Sequence, residues 1–416
     1  MDKFPDDSNQ LDADFLERQY RNSPDDFRAW FTKVFRENPD NPLLLAWNAR
    51  LNYQSFRSEN APAPRNLLLV TILISCVSWA IAKAPSYINL NEEWFYPRFI
   101  PFIVIGALIY YFHINEKLNK GLNLKTAVAG VAMVTVLLLL PDRPNSDSIR
   151  MALIHTPFVL LSLLGFTFCK GQWRSLDKRL NFLRFGGELV IYSGLVLLGG
   201  FVFSALTINL FEMISVDIEQ WYFSNVGMWG AMSAPLIASW IWDQMLDRDS
   251  RIAPILANIF SPLFLLMTGF YLAALLGRGQ SPFEDRESLI VFNGLLMVVW
   301  GISVFSITGR GGKFSKVLDL TNLSLVGVTL IIDAIALAAI VYRTFTMGIT
   351  PNRVVVTGAN LLIFIHLIWI SFEYAREFRG AGSIKVIKTT IARYLPVYTA
   401  WSMFVVVVLP LMFWFD

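Results

Sequence analysis

A chain of 416 residues that is 55% hydrophobic and only 16% charged, with mean hydropathy +0.49, is too apolar for an ordinary water-soluble domain, in which about a quarter of residues are charged. A formal net charge of +3, with no basic run, excludes a nucleic-acid partner. Alternating segments of about ten residues are absent, which excludes a transmembrane β-barrel. What remains is an all-α polytopic transmembrane helix bundle whose principal partner is the lipid bilayer.

In chain order, the opening "MDKFPDDSNQ" is acidic and polar and forms no cleavable signal peptide, so the first membrane helix is expected to direct insertion. Residues 1–64 read as a small cytoplasmic helical N-terminal region. "LDADFLERQY", "SPDDFRAWFTKVFRENPD" and "NPLLLAWNARLNYQ" place apolar residues at helical spacing. Ser23 with Pro24, Asp25 and Asp26 predicts one helix start, and Asn41 with Pro42 another. One reading of the region is a solvated cap on the membrane domain. The other is a docking module for a protein partner, because Trp30, Phe31, Phe35 and Trp47 exceed what a linker needs.

Residues 65–416 form the transmembrane domain. Apolar runs of roughly 18 or more residues predict eleven spans, at about 66–83, 98–114, 125–140, 151–169, 186–211, 223–242, 253–277, 288–308, 322–342, 354–374 and 393–415. With the N-terminus inside, the inner loops hold Lys117, Lys120, Lys125, Lys170, Arg174, Lys178, Arg179, Arg184, Arg248, Arg251, Arg310, Lys313, Lys316, Arg376, Arg379, Lys385, Lys388 and Arg393. The outer loops hold fewer than half as many basic residues, and "EMISVDIEQ" holds none. That asymmetry predicts an N-in, C-out topology, with Asp416 on the far side. Gly186, Gly187, Gly194, Gly199 and Gly200 in the fifth span, with Gly227, Gly230, Ala231, Ser233 and Ala234 in the sixth, predict close helix approaches. Pro101, Pro157, Pro235, Pro262 and Pro396 predict kinks or helix starts. Cys76 and Cys169 lie in apolar segments and read as small buried hydrophobes.

The stretch "LNFLRFGGELVIYSGLVLLGGFVFSALTINLFEMISVDIEQWYF", with "YFHINEKLNKG", "HTPFVLLSLLGFTF" and "YRTFTMGITPNRV", resembles the DUF4153 family. The resemblance covers most of residues 65–415 and leaves 1–64 outside. It implies an integral protein of the bacterial inner, or cytoplasmic, membrane that crosses it many times. It carries no activity or site residues with it.

Within the spans, Asp333 is the ionisable group nearest the bilayer midplane. A charged Asp there costs roughly 2.5–3.5 kcal/mol on insertion scales, so it must be paired, protonated or facing water. Thr329, one turn back, is its expected hydrogen-bond partner. His366 lies at similar depth in the next span, and Glu373 follows it by seven residues on the same face. The four residues outline an ion path. Asn360 is turned about 120° away from that stripe. Glu188 is expected to pair with Arg184, and His155, two residues before Pro157, to make a kink-associated polar contact. Asn258 and Asn293, like Asn360, read as interhelical glue or the lining of a polar cavity. The three histidines, His113, His155 and His366, are scattered over different spans, so no metal site or cofactor is expected.

Three functions fit. The first is a transporter or permease for an unidentified small molecule or ion, proton-coupled through Asp333 and His366. The second is a scaffold or sensor acting through residues 1–64. The third is a lipid-linked glycosyl or polymer transferase using Glu92 and Glu93 in a first outer loop of about fourteen residues. No GxSxG, HExxH, Walker or CxxC motif argues for another enzyme class.

Overall fold

A computed structural model describes residues 12–22, 24–51, 67–115, 119–143, 145–244, 252–278, 286–308 and 316–416. The inner-loop residues Lys117, Arg248, Arg251, Arg310 and Lys313 and the helix-start residue Ser23 lie outside these. The chain divides into two compact units, Met1–Asn66 and Leu67–Asp416.

The first unit contains three helices, α1 (Ala13–Asn22), α2 (Pro24–Glu37) and α3 (Pro42–Leu51). Asp12 accepts the amide of Phe15, and Asn41 those of Leu43 and Leu44, so short polar side chains satisfy the first amides of α1 and α3. Their apolar faces meet in a core of Leu16, Phe27, Phe31, Val34, Leu44 and Trp47, with Trp30 and Phe35 packed against it. Phe27 touches the rings of Tyr20, Trp30, Phe31 and Trp47 at 5.3–5.7 Å. Arg50 lies 4.4 Å over the Trp47 ring and forms a two-pronged ion pair with Glu17. The aromatic excess expected to serve a partner is therefore used inside the unit.

The second unit is wholly helical among the described residues. Its elements are α4 (Leu67–Ile88), α5 (Glu92–Asn115), α6 (Lys120–Leu139), α7 (Asp147–Phe168) and α8 (Leu176–Glu212). Next come α9 (Glu219–Tyr222), which runs through a π-helical turn at Phe223–Gly227 into α10 (Met228–Gln244), then α11 (Ile252–Arg278) and α12 (Arg286–Thr308). The last are α13 (Lys316–Met347), α14 (Pro351–Phe378) and α15 (Ile384–Met403), the last continuing through a π turn at Phe404–Val408 into α16 (Leu409–Met412).

Nine of these stretches, among the described residues, are long and apolar enough to cross a membrane. The chain is therefore an integral, multi-pass membrane protein. The other two expected spans are helices as well. Glu219–Gln244 spans about 39 Å at 1.5 Å per residue, and the 23 residues of α12 about 34 Å, against a ~30 Å hydrocarbon core. The remaining prolines sit where the sequence put them, with Pro101, Pro157, Pro235, Pro262 and Pro396 inside helices.

Two cores organise the membrane unit. One is built by α4–α8 and α10 around Leu108, Tyr111, Leu137, Leu160, Leu164 and Phe185. The other joins α12–α15 around Leu296, Val326, Leu367, Ile370, Tyr374 and Ile391, with Leu183 of α8 reaching into it. Helices α8 and α10 do pack closely, as expected, but not through every small residue singled out. A Cβ at Gly186, Gly194, Gly199 or Gly200 would meet nothing within 4 Å, and Gly194, Gly199 and Gly200 are exposed. In α10 only Ser233 and Ala234, of the small residues singled out, are buried, whereas Ala231 is exposed. Cys76 is exposed as well, and only Cys169 is buried. The tightest of the described glycines is Gly358, on which the Trp401 indole sits so closely that any Cβ would overlap it.

Gly358→Ala should therefore force α14 and α15 apart, with a loss of about 1–3 kcal/mol. Gly199→Ala should leave stability unchanged or slightly raised. Thermal unfolding of the two variants in detergent separates these outcomes, and equal melting of both would refute the packing.

Candidate functional site

Two expected loops are shorter than the sequence implied, and this reshapes the site. Helix α13 runs on to Met347 and α14 starts at Pro351, so their connection is three residues, not eleven. Gly348 takes φ +85° and the Thr350 side chain accepts the amide of Arg353, a helix start with Pro at its first position. The two helices are antiparallel neighbours. Asp333 stands 14 residues before that turn and His366 15 after the start of α14, so both lie about 21–23 Å from it along the helix axes.

At equal depth they do not meet. His366 is fully buried and turned toward α12 and α15. Its Nδ1 accepts the indole N–H of Trp300 at 3.2 Å and lies 2.9 Å from the Tyr398 hydroxyl. The ring stacks on Tyr394 at 4.3 Å and 10°. An indole can only donate, so Nδ1 presents its lone pair and the ring proton sits on Nε2. A proton arriving at Nδ1 would have to displace both donors. The imidazole is held at Nδ1 in an aromatic clamp, while its Nε2 is buried without a hydrogen-bond partner.

Asp333 is 2% exposed, and neither carboxylate oxygen has a hydrogen-bond partner. Thr329, expected to supply one, instead donates back to the carbonyl of Leu325 in its own helix at 2.8 Å, as hydroxyls in apolar helices commonly do. The acid belongs to a stripe that the sequence reading missed in part. Asp319, Asn322, Thr329 and Asp333 are all buried on α13. Turning 100° per residue, Thr329 and Asp333 fall within about 20° of Asn322 and Asp319 within about 60°. Asn322 fixes where that face points, since its Nδ2 donates to Ser306 of α12 at 2.8 Å. Ser306 in turn donates to Oδ1 of Asn258 in α11 at 2.7 Å. The buried Ser303, one turn along α12, has an unpartnered hydroxyl, as does the Oδ1 of Asn322. Past Asp333 the interior turns to hydrocarbon, with Phe292, Ile332, Ala336, Ala339 and Ile340 closing it. The stripe is polar from the start of α13 to mid-depth and apolar beyond.

The other candidates resolve into local contacts. Asn360 is buried after all and donates to Asn293 at 2.7 Å, joining α14 to α12. Glu373 is 7% exposed and ion-paired with Arg376 at 3.3 Å, so it ends the α14 stripe as a paired group. Arg184 donates to the carbonyl of Thr308, the last residue of α12, and to Asn181. Glu188 is itself buried. His155 donates from Nδ1 to the carbonyl of Met151 at 2.9 Å, one turn back, beside Pro157. His113 shares a 3.0 Å contact with Thr126 between α5 and α6. Among the described residues no group of three His, Cys, Asp or Glu side chains is placed to hold a metal.

The first outer loop also contracts. Helix α4 reaches Ile88 and α5 begins at Glu92, leaving residues 89–91, with Asn89 left-handed at φ +53°. Glu92 and Glu93 lie in the first turn of α5, where a carboxylate is favoured by the helix dipole. Asn91 accepts the amide of Glu93, and Glu92 accepts from Ser86 at 3.1 Å. The two acids cap a helix; they do not line an open loop.

The fold and this geometry define a polytopic helical membrane protein in which, among the described residues, the Asp333 carboxyl is buried at mid-helix with neither oxygen paired. Compared with family models, curated proteins and solved structures, the chain matches none.

Two outcomes follow. The ¹⁵N NMR signals of His366 should report a protonated Nε2 and a bare Nδ1; the opposite tautomer would exclude the Trp300 bond. Ser306→Ala removes the link between α11, α12 and α13 and should lower unfolding free energy by about 0.6–2 kcal/mol, read by thermal or denaturant unfolding in detergent.

Proposed function

We propose that this chain is a cation-coupled carrier of the bacterial inner membrane in which Asp333 alone is the coupling group. The observation that carries the reading is the pair of partnerless oxygens on a buried carboxyl at mid-depth. Such a group needs a proton, a metal cation or water, and intramembrane acids of this kind mark ion pathways. The stripe of Asp319, Asn322 and Thr329 supports access from the end where α13 begins, and the apolar seal beyond Asp333 suits a carrier closed toward the other side. His366 leaves the pathway and becomes a positioning residue for α12, α14 and α15.

The placement of α13's start on the cytoplasmic side rests on the N-in, C-out assignment, which the basic-residue asymmetry supports. Kinship with the DUF4153 family rests on the motifs quoted above. The scaffold reading loses ground because Phe31 and Trp47 are consumed in the first unit's own core. The transferase reading loses its open acidic loop.

Purified protein in liposomes with an internal pH dye, and in parallel a sodium dye, tests the proposal. Wild type should pass one of the two cations; Asp333→Asn should abolish that flux, Asp333→Glu should retain part of it, and His366→Gln should retain it. An Asp333→Asn variant as active as wild type, or a wild type that passes neither cation, overturns the reading. Infrared difference spectra give a second check. A carboxyl C=O band that changes with pH or sodium should disappear in Asp333→Asn.

A further inference from the structure

A groove of about 380 Å³ lies between α6, α7 and α15, walled by Ala129, Met133, Val136, Leu163, Phe166 and Val407. Ser162 and Thr399 also line it, but their hydroxyls bond each other at 2.9 Å and ask for no polar ligand. Trp173, from the turn after α7, lines it too. That indole is fixed in place: a Cβ at Gly165 would come within 2.9 Å of it, and the Arg179 guanidinium stands 5.2 Å from its centre while Nε of Arg179 donates to the Trp173 carbonyl.

The same turn is basic and lies against the start of α6. A Cβ at Gly171 would come within 3.2 Å of Leu122 in the first turn of that helix. Lys125, on the groove-facing side of α6, is thereby brought toward Arg174 and Lys178; Lys125 and Arg174 are exposed, and Asp177 is the acid of these two segments. A hydrocarbon slot in a bilayer fills with an acyl chain, and a fringe of cations selects which headgroup follows it.

We propose that this groove is a binding site for an anionic phospholipid, with one acyl chain along Leu163, Met133 and Val407 and the phosphate held by Lys125, Arg174 and Lys178. The chain chemistry is served by the apolar wall and the charge by the fringe. Neither feature takes part in the polar stripe of α13, so the site stands independently of the carrier reading.

Full-length protein in mixed micelles, titrated with brominated phosphatidylglycerol or brominated phosphatidylcholine, tests it. The Trp173 contribution is the difference between wild type and Trp173→Phe. It should be quenched at lower concentrations of the anionic lipid, and the triple variant Lys125→Gln, Arg174→Gln, Lys178→Gln should weaken that preference by about fivefold per charge removed. Native mass spectrometry of wild type in equimolar lipids should retain phosphatidylglycerol, with less in the triple variant. Equal quenching by both lipids, unchanged by the triple variant, would reduce the groove to ordinary lipid contact and overturn the proposal. So would a Trp173 signal that neither lipid quenches, as expected if a protein segment fills the slot.

Discussion

In hydrocarbon a buried polar atom has no water to turn to, and this constraint organises the membrane unit. Most of its hydroxyls answer it within their own helix, as Thr71, Ser78, Thr156, Ser261, Thr268 and Thr329 do by donating one turn back. The amides answer it across helices, through Asn258–Ser306–Asn322 and Asn293–Asn360. The arginines that enter the protein end on carbonyls, Arg184 on Thr308 and Arg179 on Ala392. Against that background Asp333 stands out as a carboxyl group with both oxygens unanswered, while the hydroxyl of Ser303, Oδ1 of Asn322 and Nε2 of His366 are buried without partners too.

Much of the architecture was legible because its cause is local. An apolar run of twenty residues has one low-energy form in lipid, so every expected span coincides with a helix. The boundaries were less legible, since polar residues such as Glu92, Glu93 and Arg343 extend helices past the apolar run at little cost in the interface. The loops predicted around them shrank accordingly.

The candidate site was half legible. Hydropathy singles out Asp333 and His366 because each interrupts an apolar stretch, and both are buried. What it cannot give is azimuth. Whether α14 turns His366 toward α13 or toward Trp300 depends on packing between helices far apart in sequence, and the aromatic clamp from Tyr394 and Tyr398 had no sequence signal. The extension of the polar stripe to Asp319 and Asn322 was readable in principle, because both fall near the helical phase of Asp333; their place near the span's edge disguised them as interface residues. The glycines of α8 show the converse error, since small residues permit close packing without requiring it.

Helix α8 is 37 residues long, about 55 Å, nearly twice the hydrocarbon thickness. Tilt cannot absorb that excess, because it would require leaning the rod almost sixty degrees, beyond the range seen for spanning helices. Its strongly apolar portion, 189–211, accounts for about 34 Å, which leaves 176–188, about 20 Å more, with Arg179 and Arg184 donating to the backbones of α15 and α12. The stretch of α8 that outruns a single hydrocarbon thickness is thus tied to two other helices, so that α8, α12 and α15 are coupled at that end.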